Sequence, residues 1–220
     1  MVAPVVAQAI DVGSLVVWFR RFAAAIEVHA DDLSSLDAAI GDADHGTNMR
    51  RGCQAVVAAL DADRPSDVTG FGKTVGMRLI SAVGGASGPL YGSFFLAFGT
   101  AGGGASTLTT TQLAACWQAG ADSVASRGKA VLSDKTMLDA MLPAVDALQD
   151  GATSGQPIAE VLARAVVAAE EGMRATIPMT ARKGRASYLG ERSAGHQDPG
   201  ATSTWLLVRS AAEALRGEGS

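Results

Sequence analysis

The chain has 220 residues, carries a formal net charge of −4 at pH 7 and contains 18% charged residues. This length suits one domain with a full hydrophobic core, and the acidic balance argues against a nucleic-acid-binding surface. Cys53 and Cys116 are isolated in the sequence, which is typical of a reducing compartment such as the cytoplasm. The N-terminus has no basic start and is interrupted by Asp11, so no signal peptide is expected.

The chain is predicted to be helical nearly throughout, because it is rich in Ala, Leu, Met and Glu and has few alternating β-branched runs. The predicted helices span 12–30, 32–40, 46–60, 68–82, 87–100, 109–126, 136–149, 157–175 and 201–216. The piece at 32–40 either begins at a cap formed by Asp31 or continues the first helix through a kink. We therefore expect an antiparallel bundle with a nearly all-apolar central helix around residues 90–101.

Residues 79–121 contain no Lys, Arg, Asp or Glu, and this raises the question of a membrane span. Glycine-rich turns break the stretch into pieces, and its longest smooth apolar piece, 90–101, is about a dozen residues, which is too short to cross a bilayer. The pattern favours a helix buried inside a soluble helical domain.

Three aspartates, Asp37, Asp42 and Asp44, lie within eight residues of one another. Three carboxylates repel each other unless a cation joins them, and their hard oxygens suit Mg²⁺, Ca²⁺ or Mn²⁺. Positions 37 and 42 would lie on different faces of a continuous helix, so we expect the helix to end near Gly41 and a new one to start near His45. The alternative is a set of solvated helix caps. An EF-hand is excluded by the residues that follow.

Two further segments bear on this site. The turn at 84–89 (GGASGP) precedes a helix, and small residues there let backbone N–H groups approach an anion, although a plain helix–helix turn would look the same. The loop at 177–200 is too long for a simple connection and carries cations that include Arg182, Lys183, Arg185 and Arg192. Taken together, the acidic turn, the glycine-rich helix start and the cationic loop are typical of a phosphoryl-transfer site.

Four blocks of the sequence carry a specific resemblance to a known family. They are LDAAIGDADHGTN at 36–48, VGGASGPLYG at 83–92, DKTMLDAM at 134–141 and ARKGRASYLGERSAGHQDPGATS at 181–203. In this order they resemble the nucleotide-binding L subunit of dihydroxyacetone kinase over nearly the whole chain. The resemblance implies that residues 1–220 are a single ADP/ATP-binding domain. It also implies an all-α antiparallel barrel of eight helices with the nucleotide site at one end, in which 32–40 is the end of the first helix.

The same resemblance implies a ligand set. Asp37, Asp42 and Asp44 would hold two Mg²⁺ ions that bridge the phosphates of ADP or ATP. The other expected nucleotide contacts are His45, Gly46, Thr47 and Asn48 at a helix start, Ala86 and Ser87 through backbone N–H groups, Gly128 and Met137 beside the adenine, and Arg185, Asp198, Pro199 and Gly200 in the long loop. No further catalytic group is expected on this chain, and Thr136 and Asp139 are given no ligand role. Ser133 stands where the family pattern has glycine, so the backbone there is expected to differ.

The resemblance also implies partners. A separate K subunit would hold dihydroxyacetone covalently through a histidine, so this chain would be inactive alone. The donor would be either free ATP or, as a free-standing L subunit favours, a phosphotransferase-system M subunit that rephosphorylates bound ADP. The oligomeric state stays open and includes a homodimer. The alternatives are a non-catalytic metal–nucleotide module that regulates a partner such as a transcription factor, and the L subunit of a kinase for another short ketose.

Overall fold

The computed structural model describes residues 9–216, and the structural statements below concern that part of the chain. Its elements, in order, are β1 (Ile10–Asp11), α1 (Val12–Ile40), α2 (His45–Ala62), α3 (Val68–Ala82), α4 (Ser87–Gly102), β2 (Thr107–Leu108), α5 (Thr110–Gly128), α6 (Leu138–Thr153), α7 (Ile158–Ala175), a 3₁₀ helix (Arg185–Ser193) and α8 (Pro199–Leu215). The expectation about a signal peptide falls mainly on residues 1–8, which lie outside the described residues.

The predicted all-α fold is confirmed, with α1 as one continuous helix of 29 residues. The piece at 32–40 is therefore the end of the first helix, because Asp31 and Asp32 lie on its exposed face and do not cap a new one. The sequence interpretation missed two short features. One is the pair β1 and β2, which are antiparallel with Ile10 opposite Leu108, and the other is the 3₁₀ helix inside the long loop.

The eight α-helices form a closed ring, since each packs against the next along the chain and α8 returns to pack against α1. The interior of the ring is filled by aromatic side chains. Trp18 of α1 lies 5.2 Å from Trp117 of α5 and 5.6 Å from both Phe95 and Phe98 of α4, measured between ring centroids. Such contacts bury large apolar areas and fix α1, α4 and α5 against one another.

The prediction of a central helix at 90–101 needs a correction. Helix α4 is a wall of the ring between α3 and α5, and its far turn is open to solvent at Thr100 and Ala101. Its apolar sequence arises because α3 and α5 cover its two sides while its aromatic residues face the core. No helix among residues 9–216 has the length and apolar character needed to cross a membrane.

The up-and-down order of the helices divides the connections between two ends of the barrel. The site end holds the connections at 41–44, 83–86, 129–137 and 176–198. The far end holds those at 63–67, 103–109 and 154–157, together with β1 and β2. All four sequence blocks that carry the resemblance therefore meet at the site end.

Candidate functional site

A cavity of about 380 Å³ opens at the site end, a size typical of small-molecule sites. Residues from all four connections of that end line it. Among the residues singled out from the sequence, those that line it are Asp37, Asp42, Asp44, His45, Asn48, Ala86, Ser87, Gly128, Met137, Arg185, Asp198, Pro199 and Gly200. Residues that are separated by more than 160 positions in the chain thus come together in one place.

Two of the predicted nucleotide contacts, Gly46 and Thr47, do not line the cavity. Gly46 faces α1, where an added Cβ would lie 1.8 Å from the carbonyl oxygen of Ala30, so glycine is required for the close approach of the two helices. Thr47 is exposed on the outer face of α2. The glycine therefore has a packing role that its position in the motif did not indicate.

The three aspartates converge as their spacing suggested. One carboxylate oxygen from each of Asp37, Asp42 and Asp44 lies within 4.8 Å of the others. Helix α1 ends at Ile40, and an added Cβ at Gly41 would meet Oδ1 of Asp37 at 2.1 Å, so only glycine allows the chain to turn so close to that carboxylate.

The chain beyond Gly41 is held to the first aspartate by hydrogen bonds. The backbone N–H groups of Asp44 and His45 donate to Oδ2 of Asp37 at 2.9 and 3.2 Å. Ala43, which precedes Asp44 in this turn, has a φ of 63°, in the left-handed region that is unfavourable for residues other than glycine. Asp37 thereby orients the other two carboxylates as well as contributing its own.

The chemistry of this cluster fits a divalent cation. Three carboxylates at this separation repel one another, and Arg185, whose Nη2 lies 3.0 Å from Asp42 Oδ2, offsets one of the three charges. Oxygen ligands on a tight turn are those that Mg²⁺ takes, usually together with phosphate oxygens. The cluster can therefore hold metal on one side and leave the cavity side for a phosphorylated ligand.

The start of α4 lines the same cavity as the aspartates. Gly85 has a φ of +65°. Ala86 occupies the capping position before the first helical residue, and its side chain has no atom that could accept a hydrogen bond from the helix N–H groups. The first N–H groups of a helix have no acceptor within the helix, and its dipole favours an anion at this end. The arrangement is suited to phosphate oxygens, which accept hydrogen bonds from such groups.

A buried polar chain connects this helix start to α8. His45 is 8% exposed, and its Nδ1 lies 3.1 Å from Ser87 Oγ while its Nε2 lies 3.0 Å from Ser203 Oγ. Tyr91 continues the chain with its hydroxyl 2.7 Å from Ser203 Oγ. Burial lowers the pKa of His45 to about 4, against the opposing charges of Asp37 and Asp44, so the ring is neutral at pH 7. Tyr91 and Ser203 lie inside two of the blocks that carry the resemblance, but no role was expected for them, because polar residues on a buried helix face look like ordinary core positions.

The turn at 129–137 forms another wall of the cavity, and at Ser133 it has the left-handed backbone that suits glycine, rather than the different backbone that the serine led us to expect. Ser133 has a φ of +71°, which favours the glycine of the family pattern. Asp139 is 1% exposed and accepts hydrogen bonds from the N–H groups of Ser133 at 2.5 Å and Thr136 at 2.7 Å. Asp139 thus holds the turn in place, which is a structural role.

The long connection before α8 brings further charge to the cavity. Asp198 caps α8 by accepting from the N–H of Ala201 at 2.7 Å, and its burial raises the pKa of its carboxyl to about 7. Lys135, in the turn at 129–137, also lines the cavity, although the sequence analysis did not single it out. Burial lowers the pKa of Lys135, and the negative charge of Asp198 opposes that shift. His196, which also belongs to the long connection, lines a second cavity, of about 600 Å³, together with His29 of α1.

The sequence of the chain is similar to those of known proteins. Residues 39–213 match the DAK2 domain model. The chain is 45% identical, over 92% of its length and 96% of the relative, to the ADP-binding subunit DhaL of the PEP-dependent dihydroxyacetone kinase of Escherichia coli K12. It is 39% identical, over 94% of its length and 99% of the relative, to the ADP-binding subunit DhaL of the PTS-dependent dihydroxyacetone kinase of Lactococcus lactis.

A solved structure shares the fold. The dihydroxyacetone kinase of C. freundii, determined in complex with AMP-PNP and Mg²⁺, superposes with a TM-score of 0.69 at 24% identity. The match covers 97% of this chain and 36% of that one, so the chain spans about a third of the length of the C. freundii kinase. At this identity the likeness describes the fold.

Proposed function

The chain belongs to the DAK2-domain family, among the ADP-binding subunits of dihydroxyacetone kinase, and from this premise we propose that residues 1–220 act as one nucleotide-carrying domain of such a kinase. The proposed reaction passes a phosphoryl group from nucleotide in the site-end cavity to dihydroxyacetone on a separate K subunit. The observation that carries the proposal is that the three carboxylates share one cavity with the uncapped start of α4.

Asp37, Asp42 and Asp44 are proposed to hold two Mg²⁺ ions, which when bound would neutralise the negative charge of the phosphates. The N–H groups of Ala86 and Ser87, at the start of α4, would donate to phosphate oxygens. The AMP-PNP and Mg²⁺ named for the C. freundii kinase support this ligand pair.

The remaining ligand contacts surround these groups. Gly128 and Met137 are proposed to flank the base, since both line the same cavity. Arg185, which already reaches Asp42, would bring its charge to the phosphates from the long connection, while Asp198 fixes the start of α8 beneath it.

The proposed phosphoryl donor is a phosphotransferase-system M subunit, and the nucleotide would stay bound as ADP between turnovers. The names of the E. coli and Lactococcus relatives, which are PEP-dependent and PTS-dependent kinases, support this version over exchange of free ATP. The buried free thiols of Cys53 and Cys116 suit the reducing cytoplasm, where such a relay would operate.

Replacing one metal ligand tests the proposal. We expect Asp42→Ala to lower dihydroxyacetone phosphorylation by roughly 1,000-fold or more in a mixture with K and M subunits, because the charge that holds the metal is lost. Far-UV circular dichroism should be unchanged, since Asp42 lies in an exposed turn. The matched control is Asp63→Ala, an exposed aspartate at the other end of α2, which should retain full activity.

The outcome also separates the alternatives. Normal turnover by the Asp42→Ala protein would overturn the assignment. A wild-type chain that binds nucleotide and metal but transfers phosphate to no triose in the mixture would instead support a regulatory module. Transfer to another short ketose in preference to dihydroxyacetone would keep the chemistry and change the acceptor.

A further inference from the structure

Residues 177–197, called the lid segment here, leave the barrel after α7 and return to nearly the same point before α8. The N–H of Gly195 donates to the carbonyl oxygen of Ile177 at 2.7 Å. The N–H of Asp198 donates to Thr176 Oγ1 at 3.0 Å. The lid segment is therefore a loop whose base is closed, and it carries Arg185 over the cavity.

The side chain of Lys135 lies at that closing point and is 1% exposed. Its Nζ donates to the carbonyl oxygens of Thr176 at 2.8 Å, Met179 at 3.1 Å and His196 at 2.5 Å, and the carbonyl oxygen of Ile177 lies farther away at 3.5 Å. An ammonium group has three hydrogens, so these three short contacts use its full donor capacity. Two of the acceptors lie where the lid segment begins and one lies where it ends, so a single side chain ties the two together.

Lys135 is itself fixed by the turn that walls the cavity. Its φ is 61°, in the left-handed region. The residue before it, Asp134, accepts the N–H of Arg182 from the lid segment on its carbonyl oxygen at 3.0 Å. The residues after it, Thr136 and Met137, line the cavity, so the turn that faces the ligand is also the one that holds the lid segment.

We propose that Lys135 is a positioning residue that closes the base of the lid segment and thereby sets how long nucleotide stays in the cavity. Without its ammonium group, three carbonyl oxygens at that point would have no donor from this side chain, and the two ends of the loop could separate. Arg185 would then move away from the cavity more often. The effect on nucleotide residence rests on the proposed function; the closure of the lid segment rests on the contacts alone.

Lys135→Met tests the inference, since it keeps an unbranched side chain of similar length and removes the donors. The matched control is Lys73→Met, the same change at an exposed position on α3. We expect release of Mg–ADP, followed by displacement of a fluorescent ADP analogue, to be at least tenfold faster in Lys135→Met, with association changed less than threefold. The control should release ADP at the wild-type rate.

Hydrogen exchange measured by mass spectrometry on nucleotide-free protein gives the second readout. Peptides from 177–197 should exchange faster in Lys135→Met, whereas peptides from α4 should match the wild type. Equal acceleration in α4 and the lid segment would make Lys135 a general folding residue and overturn the inference, as would unchanged exchange in both. A wild-type chain that fails to bind ADP would count against the proposed function, and the exchange comparison would still decide the role of Lys135.

Discussion

The two ends of the barrel differ in how their helices begin. At the far end, α1, α3 and α5 begin at Asp11, Asp67 and Thr109, and each of these side chains accepts a hydrogen bond from an N–H of the first helical turn. At the site end, α2, α4 and α6 begin without such a bond from their own capping residue. The far end gains stability from its caps. At the site end the N–H of His45 donates to Asp37 and that of Leu138 to Thr136 Oγ1, so it is the start of α4 that leaves its first N–H groups to a ligand.

Backbone strain shows the same division. Within the described chain, the residues other than glycine that have a positive φ are Ala43, Lys129, Ser133 and Lys135, and all of them lie at the site end. The difference in helix caps has one exception at each end, since α7 begins at the far end without a side-chain cap and α8 begins at the site end with one. Strain of this kind concentrates at functional sites because the surrounding structure must stabilise it.

The largest effect should come from giving the start of α4 a negative charge. We expect Ala86→Asp to weaken Mg–ADP binding by roughly 100-fold or more, because its carboxylate would occupy the place proposed for phosphate and repel it. Isothermal titration calorimetry measures this directly. Ala101→Asp, the same change at the exposed far end of α4, should bind ADP with an affinity within about twofold of the wild type. Equal affinities for all three proteins would show that the start of α4 does not bind the phosphates.

A cap at the far end should affect stability and leave binding alone. Asp67 accepts the N–H of Gly70 at 2.7 Å, and Asp67→Ala should lower the free energy of unfolding by about 1 kcal/mol. Urea unfolding is the measurement, and Asp67→Asn, which keeps an acceptor, should lose much less. A fall in ADP affinity along with stability would show that the two ends are not independent.

The smallest effect should come from relieving strain at the site end. Ser133→Gly should raise the free energy of unfolding by roughly 0.5 kcal/mol, because glycine adopts the φ of +71° without the cost paid by serine, partly offset by the greater freedom of glycine in the unfolded chain. The matched control, Ser126→Gly on the exposed face of α5, should lower it by a similar amount. If both substitutions destabilise the protein equally, the strain at 133 is absent.

Much of the fold could be predicted because helix ends in this chain have local signals. The prediction for α3 matches the structure at both ends, where Asp67 caps it and Gly84 follows it. The local pattern leaves open whether 12–30 and 32–40 form one helix, because Asp31 resembles a cap, and only packing shows that the helix continues past it. The pairing of Ile10 with Leu108 joins segments that are far apart in sequence and only two residues long, so no local pattern reveals it.

The site could be predicted where the spacing of residues along the chain determines its geometry. It could not be predicted where contacts between distant segments determine it. Three carboxylates around a glycine indicated a cation site, and their convergence within 4.8 Å agrees with that. Gly46 belongs to the same motif, yet its role depends on the approach of Ala30 from another helix. Lys135 looks like an ordinary solvated lysine in sequence, and only the fold surrounds it with carbonyl oxygens.

Native mass spectrometry of the whole chain, before and after treatment with a chelator, tests the central claim most directly. We expect a mass that includes one ADP and two Mg²⁺ when both are supplied, and loss of the nucleotide when the chelator removes the metal. A chain that binds neither in the presence of excess Mg–ADP would contradict the assignment of the site end as a metal–nucleotide site.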